Sequence, residues 1–175
     1  MPSAKRIRFW FWLLLFLNIL FIAGAKYYLA PLTSGEIVRF ETAKYAGKAQ
    51  VLIDEWHLTG KLEKVSQSIW IDYVFILLYV CGLMAAVMHI SDVTHHPLLV
   101  RSGRFFRWLI PIAGICDMLE NIFMQQTLRT QPTAFTVMLT YDMAVAKFSI
   151  LIVTFLFLVL CLFFWIIRKL FPAVA

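Results

Sequence analysis

Ile112–Gln126 reads IAGICDMLENIFMQQ, an apolar helical stretch carrying Asp117, Glu120 and Asn121 in its middle. A carboxylate placed in hydrocarbon costs roughly 2.5–3.5 kcal/mol on insertion scales. Two on adjacent turns require polar partners from neighbouring helices, or a chemical task. The stretch therefore decides the fold: it has to be one member of a helical bundle. Asp117, Glu120 and Asn121 stand at i, i+3 and i+4, on one helix face. Ala113 and Gly114 continue that face one way, where small residues permit close helix approach. Gln125 continues it the other way.

The surrounding chain fits a bundle in a membrane. Its 175 residues are 62% hydrophobic and 15% charged, against about 45–50% apolar in ordinary soluble domains. Four segments reach the roughly 20 apolar residues that a bilayer crossing needs. They are Phe9–Leu29, Ile69–His89, Phe105–Leu128 and Ala144–Ile167, the last with a helical lead-in from Met138. The expected fold is an all-α integral membrane four-helix bundle, one domain over residues 1–175, with a helical extracytoplasmic loop over residues 30–68. In that loop Ser34 is a candidate cap. Ile37, Phe40, Val51, Leu52 and Trp56 interleave with charges, and Thr59-Gly60 marks a break. One or two amphipathic helices over the outer mouth, or a solvated connector, both fit.

Basic residues orient the spans. Lys5, Arg6 and Arg8, then Arg101, Arg104 and Arg107, then Arg168 and Lys169 place eight on one side, against seven on the other. The eight hug the span ends and favour both termini in the cytoplasm of a multi-pass cell-membrane protein. Trp10, Trp12, Tyr27, Tyr28, Trp70, Trp108 and Trp165 fall near span ends, where an interfacial aromatic belt would sit. Lys5–Arg8, the apolar run and Ala23-Gly24-Ala25 also have the form of a cleavable secretory signal; an uncleaved first helix is the preferred reading. The net charge of +6 is absorbed by these topogenic clusters, so nucleic acid is not an expected partner. Membrane lipids are, along with a second copy or partner membrane subunits.

Depth groups the polar residues. At about 1.5 Å per residue, Asn18 and Asp117 each lie roughly 15 Å beyond Arg8 and Arg107, which predicts that they pair near the midplane. Asp72 and Lys147 fall near the outer interface, and Asp72 shares a face with Tyr79. The expected cavity holds Asp72, Glu120, Asn121, Gln125, Tyr141, Asp142 and Lys147, narrowing to Asp117 and Asn18. Such a cavity would bind a small polar ligand or a lipid, or serve within a larger membrane complex. Alternatives are an intramembrane enzyme acting on a lipid or isoprenoid with Glu120 or Asp117 as acid/base, or a proton-coupled transporter working as a dimer. Interhelical hydrogen bonding alone would also explain the residues.

Other chemistries find less support. His89, Asp92 and His96, in HISDVTHH, would lie close to one face of a continued helix, and imidazole with carboxylate suits zinc or iron. Pro97, however, disfavours helix just before it, and no metal is favoured. Four histidines are too few for histidine-box di-iron chemistry, and only His89 touches a span, against bis-His haem. Cys81, Cys116 and Cys161 lie in apolar runs without paired spacing. The glycines form no phosphate loop and no GxxxG. No cofactor is expected.

Ile71-Asp72-Tyr73-Val74-Phe75-Ile76 with Tyr79, followed by Ala113-Gly114-Ile115-Cys116-Asp117-Met118-Leu119-Glu120-Asn121, resembles uncharacterised bacterial four-span membrane proteins with an intramembrane Asp-x-x-Glu-Asn motif. The resemblance covers spans two and three. It implies no activity, and it marks Asp72, Asp117, Glu120 and Asn121 as the defining residues.

Overall fold

Long apolar runs become long helices here, and the polar turns between them are short. The computed structural model describes residues 4–171, which form α1 (Ala4–Leu29), α2 (Ser34–Glu41), α3 (Ala46–Leu58), α4 (Leu62–Thr94), α5 (Pro97–Arg129) and α6 (Ala134–Leu170). The architecture of the described residues is all-helical. Among them α1, α4 and α6 are long and apolar enough to cross a membrane. The expected third span, 105–128, is helical within the 33-residue α5, but it does not meet that standard of composition. Arg107 at one end and Asp117, Glu120 and Asn121 in the middle make it too polar. Its polar face is instead buried between α4 and α6, which both pack along it.

The helices overrun the expected spans. α4 starts at Leu62, α5 at Pro97 and α6 at Ala134. At 33 residues, α4 is roughly 50 Å long, more than the roughly 30 Å of hydrocarbon. Pro97 opens α5 at a position where a missing N–H costs nothing. The chain turns there through His95 in the left-handed region, φ 52°, and His96 in extended backbone.

The segment 30–68 resolves into two short helices and the start of α4. The helix cap is Thr33 rather than Ser34. Glu36 N donates to Thr33 Oγ1 at 3.3 Å, and Thr33 N donates to Glu36 Oε2 at 2.9 Å, a reciprocal capping box. Gly60, at φ 67°, makes the break between α3 and α4. Phe40 and Trp56 meet edge to face at 5.1 Å. With Leu52, Ile53, Val65 and Met124 they form an apolar cluster that fastens α2 and α3 to one end of the long helices. Val51, expected on the apolar face, is exposed.

A second apolar cluster, built on Val87, Leu99, Ile110, Phe157 and Cys161, holds the other end of α4, α5 and α6. Between the two clusters lies a polar layer. α4 and α5 approach closely within it because Gly114 has no side chain: a Cβ there would stand 2.7 Å from Val80 Cγ2. α1 packs along α4 and leaves a cleft between itself and α6.

Candidate ligand-binding site

Lys147 organises the polar layer. It projects from α6 and is 6% exposed. Its Nζ donates to Asp117 Oδ1 at 2.7 Å and lies 2.8 Å from Glu120 Oε2 and 3.7 Å from Glu41 Oε2. The Glu120 approach is an ion-pair contact at 2.8 Å. Tyr79 donates its hydroxyl to the second Asp117 oxygen at 2.9 Å. Asn121 donates to Asp72 Oδ2 at 2.8 Å. The i, i+3, i+4 face of α5 thus meets α6 through Asp117 and Glu120, and α4 through Asp117 and Asn121.

Glu41 is the member that sequence reasoning missed. It closes α2, next to Phe40, which is anchored in the apolar cluster under α3. That anchor turns Glu41 inward, where it is 8% exposed. Burial pushes its carboxyl above the ordinary 4.5, against the pull of the Lys147 ammonium and with the push of Asp117. In sequence it is one charge among many in a loop. The usable signal was its place after Phe40 on the apolar side of a short helix.

Several expectations need correction. Asn18 does not pair with Asp117. Its amide donates to Leu14 O at 2.8 Å and to Leu78 O at 3.1 Å, within α1 and across to α4. Gly82 makes room, since a Cβ there would come 3.0 Å from Asn18 Nδ2. A side-chain amide so close to α4 reaches a free carbonyl lone pair before it reaches α5. Asp142 is exposed, and neither it nor Tyr141 lines the cavity; Tyr141 lies under Lys44, 5.5 Å from ring centre to Nζ. Gln125 Nε2 is buried without a partner. His89, Asp92 and His96 are not brought together. α4 ends at Thr94, His89 sits against Phe11 at 5.3 Å, His96 sits against Phe164 at 5.7 Å, and Asp92 is exposed. The described residues hold no group of three or more side chains disposed to bind a metal.

The polar layer opens onto a cleft of about 1110 Å³. One face of α1, from Phe11 through Leu15, Asn18, Ile22 and Ala25 to Leu29, forms one wall, roughly 27 Å of helix. α4 contributes Phe75, and α6 contributes Phe148 and Leu151. Asp72, Tyr79, Asp117, Asn121, Lys147 and Glu41 reach into this largely apolar space. The expected cavity was a polar one narrowing to Asp117 and Asn18; the observed cleft is largely apolar, with Lys26, Thr33, Ser34 and Ser68 also in its lining. Glu120 stands behind the wall, fully buried, with Oε1 unpartnered. Comparison with protein-family models, with curated proteins and with solved structures found no match.

Proposed function

We propose that this chain is a multi-pass cell-membrane protein that binds an amphiphile, with α1, α4, α5 and α6 as four spans and both termini in the cytoplasm. The ligand's tail lies along α1 and its polar head meets Asp72, Asp117, Asn121 and Lys147. The observation that carries this reading is the cleft itself, a largely apolar trough along α1 onto which the buried Asp72, Asp117, Asn121 and Lys147 of α4, α5 and α6 open. Ligand pockets have this form, mostly apolar with a few placed polar groups. α5 crosses because its charges are neutralised in the bundle rather than facing lipid. The resemblance to uncharacterised four-span proteins belongs to the same proposal, since Asp72, Asp117 and Asn121 line the cleft and Glu120 supports it.

Native mass spectrometry of the detergent-purified protein tests this, comparing wild type with Leu151→Trp, which fills the cleft from α6. A retained amphiphile on wild type that is absent from the folded variant is the expected result. Bare wild type, or the same adducts on both, would overturn the reading.

A further inference from the structure

We infer that Glu41 is held as the neutral acid and donates its carboxyl proton to Glu120, latching α2 to α5 by a bond that alkaline pH breaks. The inference goes beyond ligand binding and does not depend on it.

Three carboxyl groups meet around one cation. Asp117 Oδ1 and Glu120 Oε2 stand 2.7 and 2.8 Å from Lys147 Nζ, and Glu41 Oε2 stands at 3.7 Å. Lys147 thus serves the two carboxylates of α5 closely and Glu41 only at a distance. Glu41 is in turn within hydrogen-bonding reach of the Glu120 carboxyl. Both residues are buried, and Glu41 Oε2 and Glu120 Oε1 have no other hydrogen-bond partner. Two ionised carboxylates can only accept, so face to face they repel and satisfy neither. One proton on Glu41 turns the pair into donor and acceptor. It also leaves two charges, Asp117 and Glu120, as those paired with Lys147.

Charges on each neighbouring helix bear on that proton. Burial holds it on Glu41, the Lys147 ammonium on α6 pulls against it, and Asp117 on α5 helps to keep it; the Glu41 carboxyl lies above the ordinary 4.5 as a result. Asp72 and Tyr79 of α4 are taken up by Asn121 and Asp117. Lys26 of α1 is exposed on the cleft wall. On α2 itself Arg39 is exposed, and Glu36 is paired with Lys61 at 2.8 Å.

The consequence falls on α2. This helix has eight residues, and its buried side chains are Phe40, in the apolar cluster, and Glu41 beside it. Its Thr33 cap, Ser34, Ile37 and Val38 line one end of the cleft. The folded chain keeps a proton that a solvated glutamate releases near 4.5, so the latch is present at acidic and neutral pH and is lost as pH rises through the raised value of Glu41. Above it two carboxylates face each other beside a cation that both α5 carboxylates already share, and α2 loosens at its Glu41 end.

The test uses the full chain in a neutral maltoside detergent, at neutral and at alkaline pH. Infrared difference spectroscopy reads the proton. Hydrogen exchange read by mass spectrometry, corrected for the intrinsic effect of pH, reads α2, with core amides of α4 as the reference. Wild type should lose a protonated-carboxyl stretch at alkaline pH, and protection of α2 amides should fall about tenfold or more while α4 stays protected. In Glu41→Gln the side-chain amide donates to Glu120 at every pH. Its α2 protection should stay at the neutral wild-type level, and the carboxyl band should be missing from its difference spectrum. Glu120→Gln serves if Glu41→Gln does not fold by circular dichroism; without the facing charge, the alkaline loss of α2 protection should vanish there too. A wild-type spectrum without the band, or α2 protection that does not change with pH, would overturn the inference. So would a band or an alkaline loss that persists undiminished in a folded variant, since the proton would then sit elsewhere.

Discussion

Lys147→Met should destabilise the protein by about 3–5 kcal/mol, the range for removing one partner of a buried ion pair. The structure argues for the upper part of that range. Lys147 makes two contacts under 3 Å to different carboxylates and a third at 3.7 Å, with its side chain 7% exposed. Methionine keeps the length and the apolar stem, so little packing is lost. What remains is Asp117, Glu120 and Glu41 facing one another without a cation. An ordinary interhelical hydrogen bond in a membrane averages only about 0.6 kcal/mol, so a loss of several kcal/mol distinguishes charge balance from simple bonding. Equilibrium unfolding in mixed micelles measures the loss. The partner experiment is the combined variant Lys147→Met, Asp117→Asn, Glu120→Gln, which removes the unbalanced charges together and should recover most of the loss. A single variant within about 1 kcal/mol of wild type would refute the reasoning. So would a combined variant no better than the single one, because the defect would then lie in packing.

Three smaller effects follow from the same structure. Glu36 is held at about 2 instead of 4.5 by its hydrogen bond with Lys61, helped by Thr33; a depressed carboxylate stabilises above pH 4.5 and loses that contribution as pH falls toward 2. The pair lies near solvent, so the effect should stay within about 1 kcal/mol, and acid titration of thermal stability should be flatter in that window for Glu36→Gln. Gly114→Val should cost about 1–3 kcal/mol by overpacking, since the new Cβ would sit 2.7 Å from Val80 Cγ2; a variant as stable as wild type in the same unfolding assay would show that α4 and α5 do not approach this closely. Tyr79→Phe should cost roughly 0.6 kcal/mol, at most about 1.7. A loss comparable to that of Lys147→Met would mean that Tyr79 carries more than one bond to Asp117.

How far the sequence led can be followed residue by residue. Helical periodicity put Asp117, Glu120 and Asn121 on one face, and that face does meet its neighbours. The small residues Ala113 and Gly114 announced the close approach of α4. These are local facts of phase along one helix. Facts between helices were less accessible. Asn18 and Asp117 have matching depth, but depth carries no information on rotation about the helix axis, and Asn18 faces Leu78 rather than α5. Lys147 was placed near the outer interface by counting backbone rise; its long side chain carries the ammonium to the carboxylates of α5. Glu41 was hidden because its role depends on how Phe40 seats a short helix, a tertiary contact with no period of its own. Composition overstated α5 as a span resembling the others, since a helix can be long and largely apolar yet owe its stability to neighbours that cover its charges.

The two apolar clusters bear on the proposed ligand binding. Below the layer, Val87, Ile110, Phe157 and Cys161 are buried together, and Phe106 stacks on Phe157 at 4.3 Å. Above it, Phe40, Trp56, Val65 and Met124 pack under α2 and α3. A bulky solute crossing from one end to the other would have to part both clusters. Sideways the situation differs. α1 rests along α4 and carries large apolar side chains that are exposed over most of its length, among them Phe16, Ile19, Leu20 and Ile22. Moving α1 a little exposes no buried charge, since Asn18 bonds to backbone carbonyls rather than to the acidic layer. The low-cost route to Glu41, Asp72 and Asp117 is therefore lateral, between α1 and α6, from the side that lipid would occupy. This packing favours binding over conduction, and an apolar tail over a wholly polar solute.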